Sequence, residues 1–451
     1  MQTATQRMPN RWLIAIMGTL LQVALGTVYA WSFFQQPVMA AGQWTNTQAA
    51  WAFSLAIFFL GLAAAWGGIN LPKYGPRKLA MSGGFLFSLG YLIAAYALSI
   101  KNLPLLYIGY GVIGGMGLGL GYVTPVATAA KWFPDKKGFI TGMVVMGFGF
   151  GALVMAKVLA PAIMALTAGN LVLVFSFVGV TMLLVTLPAG YWLVNPPAGF
   201  VPYGYTPPTG ETSGAQTSQQ MITAKQCVTS GKFLMMWTVF FLNITAGIMF
   251  IGFQSPLLQD LLKKTMDPAT LSDPQVIAGL AASGATLIAV SSLFNGIGRF
   301  FWGGLSDKIG RIQTFRLILG TQLIVFIALM FVNSPIVFGV LVCYVLLCYG
   351  GGFGSMPSFI LDVFGQKLMP VVYGSILTAW GCGGIVGPQI VAFLKDNFAA
   401  QAAQYTFICA SGLLFAGLLI TLLLNNEKFV PRRNGHNIRP RHGMGKPQPA
   451  K

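Results

Sequence analysis

Arg299 is the residue of this 451-residue chain with the most chemistry to offer. It lies in the stretch 275–304, which holds no other charged side chain. A guanidinium stays ionised and presents a planar fork of donors that fits one carboxylate through two parallel hydrogen bonds. Inside an apolar helix it is costly unless it faces a partner, a cavity or the membrane surface. Asn295 stands four residues earlier, so on a helix the two side chains project from one face. Its amide could hold the guanidinium or hydrogen-bond a second polar group of a ligand. The competing readings are that Arg299 snorkels to the membrane surface, since Asp307 follows eight residues later, and that Asn295 only packs helices.

Acid–base and metal chemistry have little to work with. The chain has 9 Asp and Glu and 2 His, and both histidines, His436 and His442, fall in the C-terminal tail. No Asp, Glu or His lies deep in an apolar stretch of the first half. Cys227, Cys343, Cys348, Cys382 and Cys409 form no C-x-x-C pair, so free thiols are expected and no metal site. No nucleophile–base set is legible, so the reading is not an enzyme and needs no cofactor. Lys157 is the second cation within an apolar stretch. It lies roughly 19 residues past Gly138, which at about 1.5 Å per residue places it near the far membrane face, where it can snorkel.

The elements that must position these residues are membrane helices. Hydrophobic residues make up 55% of the chain and charged residues 8%, with a mean hydropathy of +0.71. A soluble domain carries roughly 25% charged residues, so this chain could not cover a water-facing surface, and the lipid bilayer is its first partner. Stretches long enough to cross occur near 11–34, 47–70, 78–99, 103–130, 138–166 and 170–194. Six more follow near 233–258, 275–304, 312–333, 335–361, 369–394 and 404–424. The fold expected is an all-α membrane protein of twelve helices in two pseudo-symmetric bundles. The domain division is 1–194, a flexible cytoplasmic linker 195–232 with Pro207-Pro208 and a polar run, 233–425, and a basic tail 426–451.

The net charge of +18 follows the same plan. With both termini inside, 21 Lys and Arg fall in cytoplasmic segments and 4 in external loops, which is the positive-inside pattern and not a nucleic-acid footprint. The halves also repeat. Leu71–Arg77 parallels Ser306–Arg311 with the glycines 235 apart, Trp132–Lys136 parallels Val363–Lys367 at 231, and Gly26/Tyr29 parallels Gly247/Phe250 at 221. Duplicated bundles of this kind hold substrate at the midplane between halves. Glycines 109, 111, 114, 115, 117, 119 and 121 crowd one apolar span with no preceding strand, so they read as close helix packing and not as a nucleotide loop.

The loop Gly303-Gly-Leu-Ser-Asp307-Lys-Ile-Gly310-Arg311 resembles the signature of the major facilitator superfamily. Its first-half copy carries Pro72 where the family usually has Asp, which implies a weaker latch in that half. Leu25–Ser32, Lys131–Gly138, Asn295–Arg299 and Tyr373–Trp380 resemble the oxalate/formate antiporter and monocarboxylate transporter branch. The resemblance implies that Arg299 binds a substrate carboxylate, and that Tyr29, Tyr122, Tyr349 and Phe353 stand on cavity-lining helices. It sets Asn295 where mammalian relatives carry a proton-coupling Asp, and Trp380 where oxalate carriers have a lysine for the second carboxylate. Asp307, Arg311 and Asp362 are the implied coupling or gating residues, with Asp362 alternatively a structural partner of loop cations.

The function expected is therefore a secondary transporter of a small monocarboxylate of the lactate, pyruvate or formate type. Alternating access with proton-coupled symport is the expected mode, by a monomer in a bacterial-type inner membrane. Oxalate/formate exchange is the alternative, and a membrane sensor that binds without translocating is the reading from another class.

Overall fold

The computed structural model describes residues 9–197, 199–202, 223–365, 368–425 and 427. The polar run of the linker, Lys367, and the tail with His436 and His442 lie outside the described residues. Among the described residues there is no strand, and twelve helices are long and apolar enough to cross a membrane. They are α1 (Arg11–Gly42), α2 (Asn46–Tyr74), α3 (Pro76–Ser99), α4 (Leu103–Trp132), α5 (Phe139–Leu166) and α6 (Leu171–Tyr191). The second set is α7 (Gly231–Lys263), α8 (Pro274–Ile309), α9 (Arg311–Leu329), α10 (Pro335–Phe364), α11 (Val371–Asn397) and α12 (Ala402–Leu423). A helix satisfies all its backbone groups within itself, which lipid demands.

The helix starts are set by local sequence. Asn10, Thr45, Asn102, Asn170, Ser230, Asp273 and Ser334 each accept a hydrogen bond from a backbone N–H of the first turn. Several helices run past the apolar windows, α1 to Gly42 and α8 to Ile309. Hydropathy marks only the hydrocarbon-crossing part, whereas the backbone ladder continues into polar turns. Both ends of the linker are tied down: Lys131 Nζ donates to Asn195 Oδ1 (3.0 Å), and Ala224–Val228 forms a short helical turn. Three of the helices are interrupted. A 3₁₀ turn at Thr27–Ala30 breaks α1 at Tyr29, and π turns at Tyr107–Ile113 and Met155–Leu159 break α4 and α5.

An even number of crossings puts the start of α1 and the end of α12 on one side, here called the terminal face. The first six helices pack among themselves, as do the last six, and the two sets meet along α5 with α8 and α2 with α11. Glycine allows both seams to close. A Cβ on Gly149 would lie 2.7 Å from the Cα of Gly296, and one on Gly61 would lie 3.0 Å from the Cα of Gly381. Positions 149 and 381 are 232 apart, and 61 and 296 are 235 apart, so the seam contacts keep the spacing of the sequence repeat. The repeated loops match too. Gly75 (φ 76°, ψ 160°) and Gly310 (φ 89°, ψ 153°) take the same left-handed conformation.

The loop side chains diverge as Pro72 foretells. In the second copy Arg311 donates from Nε to Asp362 (2.9 Å) and from Nη1 to Asp307 (2.6 Å). In the first copy Arg77 forms no ion pair among the described residues; its Nε donates to the Tyr191 carbonyl (2.6 Å) and its guanidinium lies 4.2 Å from the Tyr191 ring.

Candidate functional site

α8 carries Arg299 into the contact between the two sets, where it is 2% exposed. Its guanidinium does not reach the membrane surface. Nη1 donates to the Val145 carbonyl of α5 (3.0 Å) and stands 3.5 Å from the Tyr122 hydroxyl of α4. The planar group lies 4.9 Å from the Phe353 ring and 5.8 Å from the Phe148 ring. Nε and Nη2 have no protein partner among the described residues. These two nitrogens form one edge of the guanidinium, the edge that grips a carboxylate through two parallel bonds.

Aromatic rings surround the guanidinium. Trp380 packs against Phe353 (4.8 Å between centroids), Tyr122 (5.1 Å), Phe148 (5.5 Å) and Tyr29 (6.2 Å). Tyr29 and Tyr349 join the two sets directly, hydroxyl to hydroxyl at 2.7 Å. Both are buried, and whichever hydroxyl accepts keeps a hydrogen to donate elsewhere. A cavity of about 10 Å³, room for roughly one water, is bounded by Tyr29, Gln254, Ser291, Ser292 and Asn295 among others. Aromatic walls with a few aimed polar groups suit a small organic ion with one charged end.

Seven sequence-predicted residues thus gather around one point: Arg299, Asn295, Tyr122, Tyr29, Tyr349, Phe353 and Trp380. Asp307, Arg311 and Asp362 do not join them and form their own ion-pair cluster on the terminal face. Phe353 to Asp362 is nine residues of α10, or about 13 Å along the axis. Lys157 is exposed on the half of α5 away from the terminal face and donates to Thr286 of α8 (2.7 Å). All five cysteines are free. The crowded glycines of α4 serve packing: a Cβ on Gly119 would lie 2.3 Å from the Leu60 carbonyl of α2, and one on Gly117 would lie 2.3 Å from the Phe87 nitrogen of α3.

Sequence reasoning missed Phe148, the Val145 carbonyl, Gln254, Ser291 and Ser292. Gln254 was findable as a neutral amide stranded in an apolar span. A backbone carbonyl or one phenylalanine among 34 sends no such signal.

A model of the Major Facilitator Superfamily matches residues 8–388. The chain belongs to this superfamily. It is 24% identical to the oxalate:formate antiporter of Oxalobacter formigenes over 417 residues, 92% of either chain. It is 26% identical to apicoplast pyruvate carrier 1 of Toxoplasma gondii over 545 aligned positions, 99% of this chain and 93% of that one. Both likenesses run along nearly the whole of this chain. In fold it resembles a bacterial homolog of the human lysosomal transporter Spinster, crystallised in an inward-facing and unoccupied conformation. That likeness has a TM-score of 0.64 at 15% identity, covering 92% of this chain and 97% of the other. The protein is a multi-pass integral membrane transporter of the superfamily.

Proposed function

We propose that this superfamily member moves a small monocarboxylate of the lactate, pyruvate or formate type by alternating access, as a proton-coupled symporter. One observation carries the reading. The Nε–Nη2 edge of Arg299 is buried without a protein partner, and every described Asp and Glu lies at a helix end or in a loop. An isolated buried guanidinium is strongly disfavoured, and a carboxylate ligand supplies the missing counter-charge. In this reading the carboxylate sits on that edge, and Tyr29 or Tyr349 donates to it or to its neighbour. The loaded, neutralised pair lets the two bundles rock about the α5–α8 and α2–α11 seams. The two units are residues 1–194 and 233–425, and the Lys/Arg bias sets the terminal face in the cytoplasm of a bacterial-type inner membrane.

Asn295 cannot titrate, and Asp362 is tied to Arg311 on the terminal face. The proton therefore travels with the substrate carboxyl, or on Asp362 once that pair opens. Exchange of oxalate for formate is the second reading, motivated by the Oxalobacter relative. One buried cation beside the neutral Trp380 favours a monoanion over a dianion.

Counterflow into proteoliposomes loaded with lactate, pyruvate, formate or oxalate, with and without a pH gradient, tests both. Lactate or pyruvate flux that rises with an imposed proton gradient is expected, and Arg299→Ala should abolish it while the protein still inserts. Normal flux in that variant sinks the mechanism, and strong pH-insensitive oxalate exchange selects the second reading.

A further inference from the structure

Ser291, Asn295 and Arg299 follow one another at four-residue intervals on α8, so they share one face over about 12 Å. Ser291 is fully buried and donates from Oγ to Gln254 Oε1 of α7 (2.7 Å), while Gln254 is 2% exposed. The terminal amide of Gln254 makes that one bond. Whichever way the amide is turned, one of its two polar atoms has no protein partner among the described residues. Asn295 Oδ1 is likewise buried and unpaired. Three neutral polar side chains are thus held out of water in an apolar interior, at a cost that packing does not require. They border the same small cavity, with Tyr29 alongside.

The size and charge of that cavity define what it can read. About 10 Å³ admits one oxygen-sized group, and no charged residue lines it. It offers amide and hydroxyl groups, which can donate to or accept from a hydroxyl or oxo oxygen, but it offers nothing to balance a second carboxylate. Resting on the reading of Arg299 as the carboxylate anchor, we infer that Gln254 and Ser291 form a specificity subsite for a neutral oxygen of the substrate. The carrier therefore selects hydroxy- and oxo-monocarboxylates over their plain alkyl analogues. The discrimination has a physical source: Ser291 and Gln254 already bond each other, and an analogue without the oxygen leaves the remaining polar atom of the Gln254 amide unpaired in a dry site.

The test compares lactate with propionate, which differ by one hydroxyl, in proteoliposomes bearing the wild type, Gln254→Leu or Ser291→Ala. Wild type should favour lactate in kcat/KM by about tenfold or more, the scale of one buried hydrogen bond. Gln254→Leu should bring the ratio close to one by slowing lactate, with propionate flux kept or raised. Ser291→Ala, the milder change, should move the ratio the same way and guards against a folding defect in the first variant. A wild type without preference overturns the inference, as does a ratio unchanged in both variants, which would make the cavity a structural water site. Lactate and propionate flux that persists in Arg299→Ala would instead remove the carboxylate anchor and with it the premise.

Discussion

Replacing Arg299 by methionine separates the energetic cost of a buried charge from its use. The change removes one good hydrogen bond, to the Val145 carbonyl at 3.0 Å, and a marginal one to Tyr122 at 3.5 Å. It also removes two ring contacts at 4.9 and 5.8 Å. A hydrogen bond to a charged group is worth about 1.5–3 kcal/mol and the two ring contacts together about 1–2 kcal/mol, so roughly 3–5 kcal/mol is lost. Against this, Nε and Nη2 no longer stand unpaired, at about 1–3 kcal/mol each, and the desolvation of the cation, several kcal/mol more, disappears. The unliganded variant should then be about 1–4 kcal/mol more stable than the wild type, the range seen when buried charges give way to apolar residues of similar volume.

Thermal unfolding in detergent reads this as a higher midpoint. The same experiment with added substrate gives the second half. A ligand at 100 times its Kd stabilises the wild type by about 2.7 kcal/mol, and the methionine variant should show no such shift. A variant less stable than the wild type would mean that Arg299 holds the helices together through its present contacts. A surviving substrate shift would mean that the anion binds elsewhere. Either result refutes the argument.

Two further consequences follow from contacts between the helix sets. Tyr349→Phe should destabilise by about 1–3 kcal/mol by leaving the Tyr29 hydroxyl unpaired, and Tyr29→Phe in addition should recover much of the loss; additive single effects in this double-mutant cycle would deny the 2.7 Å bond its coupling. At the opposite face the Asp396 carboxylate of α11 accepts from Asn46 N (2.9 Å), Asn46 Nδ2 (3.0 Å) and Thr47 N (2.8 Å), capping α2 across the seam. Asp396→Ala should open that side more often, speeding maleimide labelling of Ser291→Cys in an otherwise cysteine-free protein several-fold; an unchanged rate would show that the cap does not gate.

Composition and local pattern determined much of this protein without any coordinates. Apolar runs of bilayer length, polar N-caps such as Thr45 and Ser230, and the glycine loops at 75 and 310 all act over a few residues, so the sequence carries them openly. The duplication was legible for the same reason, because its offsets compare residues one at a time. Arg299 announced itself because an ion in an apolar helix contradicts its surroundings.

Other facts exist only between distant segments. The direction of the guanidinium, toward Val145 and Phe353 and away from the surface, was decided by α5 and α10 closing around it. The separation of Asp307, Arg311 and Asp362 from Arg299 was decided by helix length, which carries them to the terminal face. The pairing of Gln254 with Ser291 depends on the rotation of α7 against α8, and the pairing of Tyr29 with Tyr349 on the closure of one set of helices upon the other. A helix writes its own face into its sequence through the 3.6-residue period. Which neighbour meets that face is set by packing across the whole molecule.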